Sequence, residues 1–293
     1  MQKFIMCCGL PASGKTYWTV YKCIVEDENL ALLSSDGFRE LHPEYDNNAI
    51  FELMHKYTIE SLEAGKTVIY DATNLARKHR MAILTEVKRK FPAVFCSIEV
   101  FMAPIKVLKE RNSHRTGAEC VPDEVFQKML CSFQFPQFFE GWDEIHMNEH
   151  NQYQLADMAN ATDFDQMNPH HKLTLWDHSS KAREIMKDHY GDAVMQEAAF
   201  FHDLGKLYTQ TFDENGVAHY YGHENAGAYM YALHAFELGL YSFNEILDIL
   251  FLINYHMRPY QWSNRTFQKD LELFGADKIK KLKLIHFCDE EAH

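Results

Sequence analysis

The sequence has no apolar stretch approaching the ~18 residues that a membrane-spanning helix needs, so no membrane partner is expected. It has no low-complexity tract and no repeat of solenoid period, which excludes flexible spacer proteins and repeat arrays. Cysteines number only seven, an odd count with Cys7 and Cys8 adjacent. That pattern fits neither a disulfide framework nor a zinc-ribbon spacing and predicts reduced, mostly buried thiols in a cytoplasmic protein. The opening MQKFIMCCGL is too short an apolar run for a signal peptide and leads into a glycine-rich turn rather than a cleavage site. Positive charge is also scarce: 29 Lys and Arg against 42 Asp and Glu leave a formal net charge of −13. Proteins that coat nucleic acid are usually basic, so an extended electrostatic footprint is not expected.

What the chain does have is enough length, 293 residues, for two domains with real cores. Both halves are acidic, with 17 basic and 22 acidic residues in 1–160 and 12 basic and 20 acidic in the remainder. Local basic groups remain, at Arg77, Lys78 and Arg80, at Lys88–Lys90, and at Lys106, Lys109, Arg111 and Arg115. They would suffice to hold one strand end, although the run at 88–90 reads more simply as a solvated helix face.

In the first half, apolar runs at 3–8, 30–33, 67–70 and 94–101 alternate with helical pattern. This predicts βαβ units in a parallel sheet with helices on both faces, whose ligands bind at the carboxyl ends of the strands. Polar clusters follow the first three runs, beginning at Gly9, Ser34 and Asp71. Beyond Ile145 the texture becomes polar and weakly periodic, so a linker is expected over 146–170. From about 171 the pattern is helical (179–189, 193–202, 225–236, 243–256, 278–288), which predicts an all-α second domain. The expected domains are therefore 1–150 and 165–293.

Gly9-Leu10-Pro11-Ala12-Ser13-Gly14-Lys15-Thr16 fits G-x-x-x-x-G-K-[ST]. Its four fixed positions arise by chance about once in a hundred chains of this length. Glycines allow successive backbone N–H groups to face phosphate oxygens, and a following helix N-terminus adds a favourable dipole. Gly9, Ala12, Ser13 and Gly14 would line the cradle, with Lys15 on the β- and γ-phosphates of ATP and Thr16 on Mg2+. In Ser35-Asp36-Gly37-Phe38-Arg39, Asp36 could accept the proton of an attacking hydroxyl and Arg39 could hold a phosphate of the acceptor. Arg111 and Arg115, four apart, would share a helix face and could neutralise the transferred phosphoryl group.

These motifs, with Asp71-Ala72-Thr73-Asn74 and the Val-Pro that follows Arg115, resemble the phage-type polynucleotide 5′-kinase family over about residues 1–140. The resemblance implies that Asp36 is the general base, that Arg39 binds the acceptor, that Arg115 clamps the donor phosphates and that Asp71 and Asn74 line the acceptor side. Related small-molecule P-loop kinases share parts of the pattern, so the acceptor stays open.

In the second half His178, His202-Asp203, His223, His256 and Asp289 fall one per predicted helix or adjoining loop. Imidazoles with carboxylates suit Mn, Fe, Co, Ni or Zn, and such a centre makes phosphoester hydrolysis feasible near neutral pH. LWDHSSKA, FFHDLGK, YGHENAGA and HFCDEEAH resemble the HD phosphohydrolase superfamily over about 170–293. The resemblance implies one metal on His178, His202, Asp203 and Asp289, a second on His223 and His256 with Asp203 bridging, and Lys206 on the substrate phosphate. His189, His219, His234 and His286 read as core or surface residues. The GHENAGA wording is similar to HD modules attached to tRNA nucleotidyltransferases, which act on cyclic and terminal phosphates.

Together the two resemblances imply a bifunctional nucleic-acid end-healing enzyme. It would phosphorylate 5′-hydroxyl ends and remove 2′,3′-cyclic, 2′- or 3′-phosphates upstream of a ligase, on RNA in preference to DNA. This chain differs from described fusions of the two modules in carrying the kinase-like half first. Two other readings stay open: a nucleoside or small-metabolite kinase fused to an HD nucleotidase, and an HD hydrolase regulated by an ATP-sensing domain. A homo-oligomer is compatible with either.

Overall fold

A computed structural model describes residues 1–25, 29–149, 160–168 and 172–293. The chain divides into two compact units, Met1–Phe126 with Pro136–Asn151, and Gln127–Phe135 with Gln152–His293.

The first unit is α/β. Its sheet is built from β1 (Lys3–Cys8), β2 (Leu30–Ser34), β3 (Thr67–Asp71), β4 (Phe95–Met102) and β5 (Glu144–Glu149). The strand order is β2-β3-β1-β4-β5 and every pairing is parallel. β1 lies at the centre, and its KFIMCC is buried at every position but the first, as expected of a strand covered on both faces. From β1 the chain goes first to β2 and β3 on one side, then to β4 and β5 on the other. The crevice where strand order reverses therefore opens at the carboxyl end of β1, beside β3 and β4. The connecting helices are α1 (Lys15–Val25), α2 (Ser35–Leu41), α3 (Asn47–Glu63), α4 (Arg77–Lys90), α5 (Ile105–Ser113) and α6 (Asp123–Leu130).

β5 corrects the expected linker. Residues 144–149 are a sheet strand in register with β4, Ile98 opposite Ile145. EIHMNE alternates polar and apolar only through Ile145 and Met147, a period-2 signal too short to stand out in a stretch rich in Asn and His. Residues 150–159 and 169–170 of that linker lie outside the described residues.

The second unit is helical: α7 (Leu175–Tyr190), α8 (Ala193–Phe201), the single turn α9 (Lys206–Thr209), α10 (His223–Leu238), α11 (Phe243–Tyr255) and α12 (Asn264–Glu291), which is broken at Gly275 (φ 82°). Thr174 and Asp192 cap α7 and α8, and capping boxes at Ser242/Glu245 and Ser263/Thr266 start α11 and α12. The unit is not purely α. A hairpin, β6 (Thr211–Phe212) and β7 (Ala218–His219), turns through Asp213–Gly216, and strands of two residues are too short for period-2 patterning to show.

Residues Gln127–Phe135 belong to this second unit, where the sequence division at 150 had assigned them to the first. Asn254 explains why: its Oδ1 accepts from Phe135 N at 2.8 Å and its Nδ2 donates to Phe133 O at 3.0 Å. Phe133 packs on Tyr229 with ring centroids 5.0 Å apart. Among the described residues no helix is long and apolar enough to cross a membrane.

Candidate active sites

In the first unit the loop after β1 is held by backbone constraints that few residue types tolerate. A Cβ on Gly9 would meet Phe101 O at 2.6 Å and Ser13 Oγ at 2.8 Å. Ala12 (φ 63°) and Gly14 (φ 101°) both take the left-handed region, which costs an L-residue such as Ala12 roughly 1–2 kcal/mol. The loop curls around Lys15, which is nearly buried and donates to Gly9 O and Leu10 O, each at 2.9 Å. Burial lowers the affinity of this amine for its proton, against the nearby Asp71. Ala12, Ser13, Gly14, Lys15, Thr16, Arg111 and Arg115 line one cavity of about 370 Å³ with the exposed ring of Tyr17. Arg111 Nη1 reaches Ala12 O at 3.5 Å. Arg115 lies beyond the end of α5, so the two arginines reach the cavity from a helix and from its following loop rather than from one helix face.

Asp36 and Arg39 do share a face of α2. Their side chains pair at 2.6 Å while remaining 76% and 42% exposed, open to an acceptor. Arg39 also donates through Nε and Nη2 to Asn47 Oδ1. Asp71, at the end of β3, is buried, and burial pushes its carboxyl up to about 6 against the pull of Lys15. Asn74 (φ 46°) is a strut rather than a free amide: its Nδ2 donates to Cys7 O at 2.7 Å, tying the β3 loop to β1. Arg80, grouped in the sequence with basic residues able to hold a strand end, is fully buried. It forks onto Glu140 at 2.8 and 2.6 Å and donates to Asn74 O and Leu75 O. Lys88 and Lys90 pair with Asp143 and Glu86 at half-exposed positions, as a solvated face would.

In the second unit, helix ends bring the predicted ligands together. His202 and His256 follow the last residues of α8 and α11, His223 opens α10, and His178 and Asp289 lie within α7 and α12. His178, His202, Asp203 and Asp289 form one group and Asp203, His223 and His256 another. Within each, the ligand atoms all lie within 4.8 Å of one another, and every residue is buried. Asp203 serves both with different oxygens: Oδ2 is 3.4 Å from His178 and His202, and Oδ1 is 3.1 Å from His223 and 3.7 Å from His256.

The outward ring nitrogens fix the tautomers. Nδ1 of His202, His223 and His256 faces the carbonyls of Ala199, Tyr220 and Ile253 at 2.7–2.8 Å. Donation there leaves each Nε2 as an acceptor aimed into the cluster, the arrangement of imidazoles that bind metal. Burial opposes charge on Asp203, yet Lys206 and the surrounding imidazoles hold it well below the usual carboxylate range. For His178 burial is outweighed by hydrogen bonds to Asp203 and Asp289, which raise it to about 9, whereas burial takes His256 down to about 3. Close crossing of backbones at the site requires glycine: a Cβ on Gly205 would collide with the His223 carbonyl and with Gly227 N.

Lys206 departs from its expected position on a substrate phosphate. It is buried and donates to Asp203 Oδ2 at 2.6 Å and to Gln166 Oε1 at 2.8 Å. Gln166 was hidden in the expected linker and has no motif. Tyr260, which donates to Asp289 Oδ2 at 3.0 Å, and His293, stacked on His178 with centroids 5.0 Å apart, also lacked any pattern. Tyr17 had one available signal, its place directly after the phosphate loop.

A family model described as AAA domain matches residues 4–136, and one described as HD domain matches residues 170–292. Among solved structures, a Pnkp1/Rnl/Hen1 complex is similar at 25% identity with a TM-score of 0.32, over 42% of each chain. The chain thus spans less than half the length of that relative. An unliganded sugar kinase from Janibacter sp. HTCC2649 is similar at 17% identity with a TM-score of 0.40, over 52% of this chain and 88% of the other. No curated protein matches this sequence.

Proposed function

Since the chain is an AAA-family P-loop domain followed by an HD domain, we propose that it is a bifunctional end-healing enzyme. It phosphorylates 5′-hydroxyl ends of RNA with ATP and removes terminal 2′,3′-cyclic, 2′- or 3′-phosphates. What carries this reading is that one chain holds both a phosphate cradle, linked through Asp71 to an exposed Asp36–Arg39 pair, and a doubled His/Asp cluster around Asp203. The first can add a phosphate to a hydroxyl and the second can take one off.

In the kinase reaction Lys15, Arg111 and Arg115 hold the donor phosphates of ATP, and Thr16, exposed at the rim, is free to ligate the accompanying Mg2+. Arg39 orients the acceptor through its phosphate. The acceptor oxygen bonds to the γ-phosphorus as the bond to the ADP oxygen breaks, and Asp36 takes the hydroxyl proton.

In the second unit the donor set fits a metal, because four imidazoles and two carboxylates suit a transition metal over Mg or Ca. His178, His202, Asp203 and Asp289 would hold one ion and Asp203, His223 and His256 a second, and a metal bound there would supply Lewis acidity to a phosphoryl group. Asp203 joins the two ligand groups and Lys206 fixes its Oδ2. Burial of the whole set keeps bulk water from competing with these contacts.

The test is an RNA oligomer bearing 5′-hydroxyl and 2′,3′-cyclic phosphate ends, incubated with ATP and a panel of divalent metals. Asp36→Asn should lower 5′ phosphorylation by roughly 10²–10⁴-fold and spare the hydrolase, and Asp203→Asn should do the reverse. Phosphorylation of nucleosides only would remove the end-healing reading. An Asp36→Asn protein with every activity intact would point to an ATP sensor.

A further inference from the structure

Resting on that reading of the kinase half, we infer that His42 and Tyr45 form the stacking platform for the terminal nucleobase of the acceptor strand. Their rings lie 5.1 Å apart with an interplanar angle of 14°. The pair is built into the short turn between α2 and α3: His42 N closes α2 on Phe38 O at 2.9 Å, and Tyr45 N donates to His42 O at 3.1 Å. Tyr45 is 45% exposed, and its neighbours Pro43 and Glu44 are exposed too. The stacked pair therefore sits at the surface instead of filling the core.

Position assigns the ligand. Tyr45 stands two residues before Asn47, whose Oδ1 receives Arg39 Nε and Nη2 at 3.3 and 3.2 Å. The Cα atoms of Tyr45 and Asn47 lie at most ~7 Å apart, so the ring and the acceptor of Arg39 stand on one short stretch of chain. A carboxylate for the attacking hydroxyl, a guanidinium for the phosphate and a flat aromatic for the base then follow one another along the chain from Asp36 to Tyr45. Of the two carboxylates of the turn, Asp46 Oδ1 caps α3 by accepting from Ala49 N at 2.8 Å, and Glu44, 62% exposed, has its Oε1 3.6 Å from His42 Nδ1. Stacking tolerates any base, so the platform recognises an oligonucleotide end without reading its sequence.

The experiment measures 5′ phosphorylation of two RNA oligomers, one ordinary and one with an abasic 5′ residue. Tyr45→Ala should raise KM for the ordinary oligomer roughly tenfold with little change in kcat, Tyr45→Phe should restore it, and the abasic oligomer should not distinguish the three proteins. Equal KM values for wild type and Tyr45→Ala on the ordinary oligomer would overturn the platform while leaving the end-healing reading in place. A wild-type protein that phosphorylates no oligomer would overturn both. Unchanged thermal unfolding of Tyr45→Ala, expected for so exposed a ring, separates recognition from folding.

Discussion

Replacing Arg80 by Leu should damage the first unit more than any single surface substitution. The guanidinium has no solvent exposure, and neither has the Glu140 carboxylate it forks onto. Removing it leaves that carboxylate with weaker donors such as Trp142 Nε1 at 3.1 Å and Gln137 N at 3.3 Å, and strips a donor from Asn74 O and Leu75 O. Breaking a buried pair from one side typically costs about 3–5 kcal/mol, because the remaining charge stays buried. With a urea dependence of roughly 2 kcal/mol per molar, the midpoint should fall by about 2 M. Trp142 fluorescence and loss of kinase activity in urea both report it. Kinase activity should drop even without denaturant, because Asn74 and Leu75 anchor the loop after β3. Replacing Glu140 by Leu as well should recover most of the stability, since two apolar groups strand no charge. Lys88→Leu is the control: its pair with Asp143 is about one-third exposed and should be worth no more than ~1 kcal/mol. If Arg80→Leu shifts the midpoint no further than Lys88→Leu, or if the double variant is no more stable than the single, the reasoning is refuted.

Asp71 gives a pH dependence of the opposite sign to a salt-bridged carboxylate. Its folded value of about 6 lies above the unfolded 3.8, so the folded state holds the extra proton and stability falls as pH rises through that window. The change is on the order of 2 kcal/mol. Urea titrations of the nucleotide-free protein at pH 4.5 and 7.5 should show it, and Asp71→Asn should flatten it. In the second unit, His178 at about 9 is protonated at pH 7 without metal. Binding a divalent cation should therefore release about one proton and tighten roughly tenfold per pH unit between 7 and 9, read by calorimetry in buffers of different ionisation enthalpy; pH-independent affinity would contradict it. Gln166→Leu removes the second acceptor of Lys206 and should lower hydrolase activity or metal affinity by roughly 10–100-fold, with Gln166→Glu closer to wild type and the kinase unchanged.

The phosphate-loop motif and the residues that gather around Asp203 were legible as candidates because such chemistry draws on local backbone and on residue types that few other roles demand. Gly9 and Gly14 mark a turn whose geometry admits little else, and His202-Asp203 sits where a helix must end. The strands at 3–8, 67–70 and 94–101 could be read as continuous apolar runs, which fits their paired, largely buried places in the sheet, and the edge strand β2 still writes the run LALL although only Leu33 of it is buried. β5, the other edge strand, could not, because EIHMNE holds only two apolar residues. Arg80 was misread because composition cannot show whether a basic side chain meets Glu140, sixty residues on, or solvent. Gln127–Phe135 was assigned by proximity along the chain, while its membership is set by Asn254, more than a hundred residues away.

Charge accounts for the position of Lys206. With neutral imidazoles, two ionised carboxylates against one ammonium leave the HD cluster one net negative charge. Burying that charge in the absence of a compensating cation is costly, and the rise of His178 to about 9 is the response, a proton occupying the role of a metal. Had Lys206 extended to solvent as a free phosphate clamp, Asp203 and Asp289 would both face the imidazoles uncompensated and more of those rings would be driven to protonate. Gln166, by accepting from Lys206, keeps the ammonium against Asp203 Oδ2. The same ammonium opposes the rise that Asp203 imposes on His223, which links a residue without a motif to the capacity of the motif residues to bind metal.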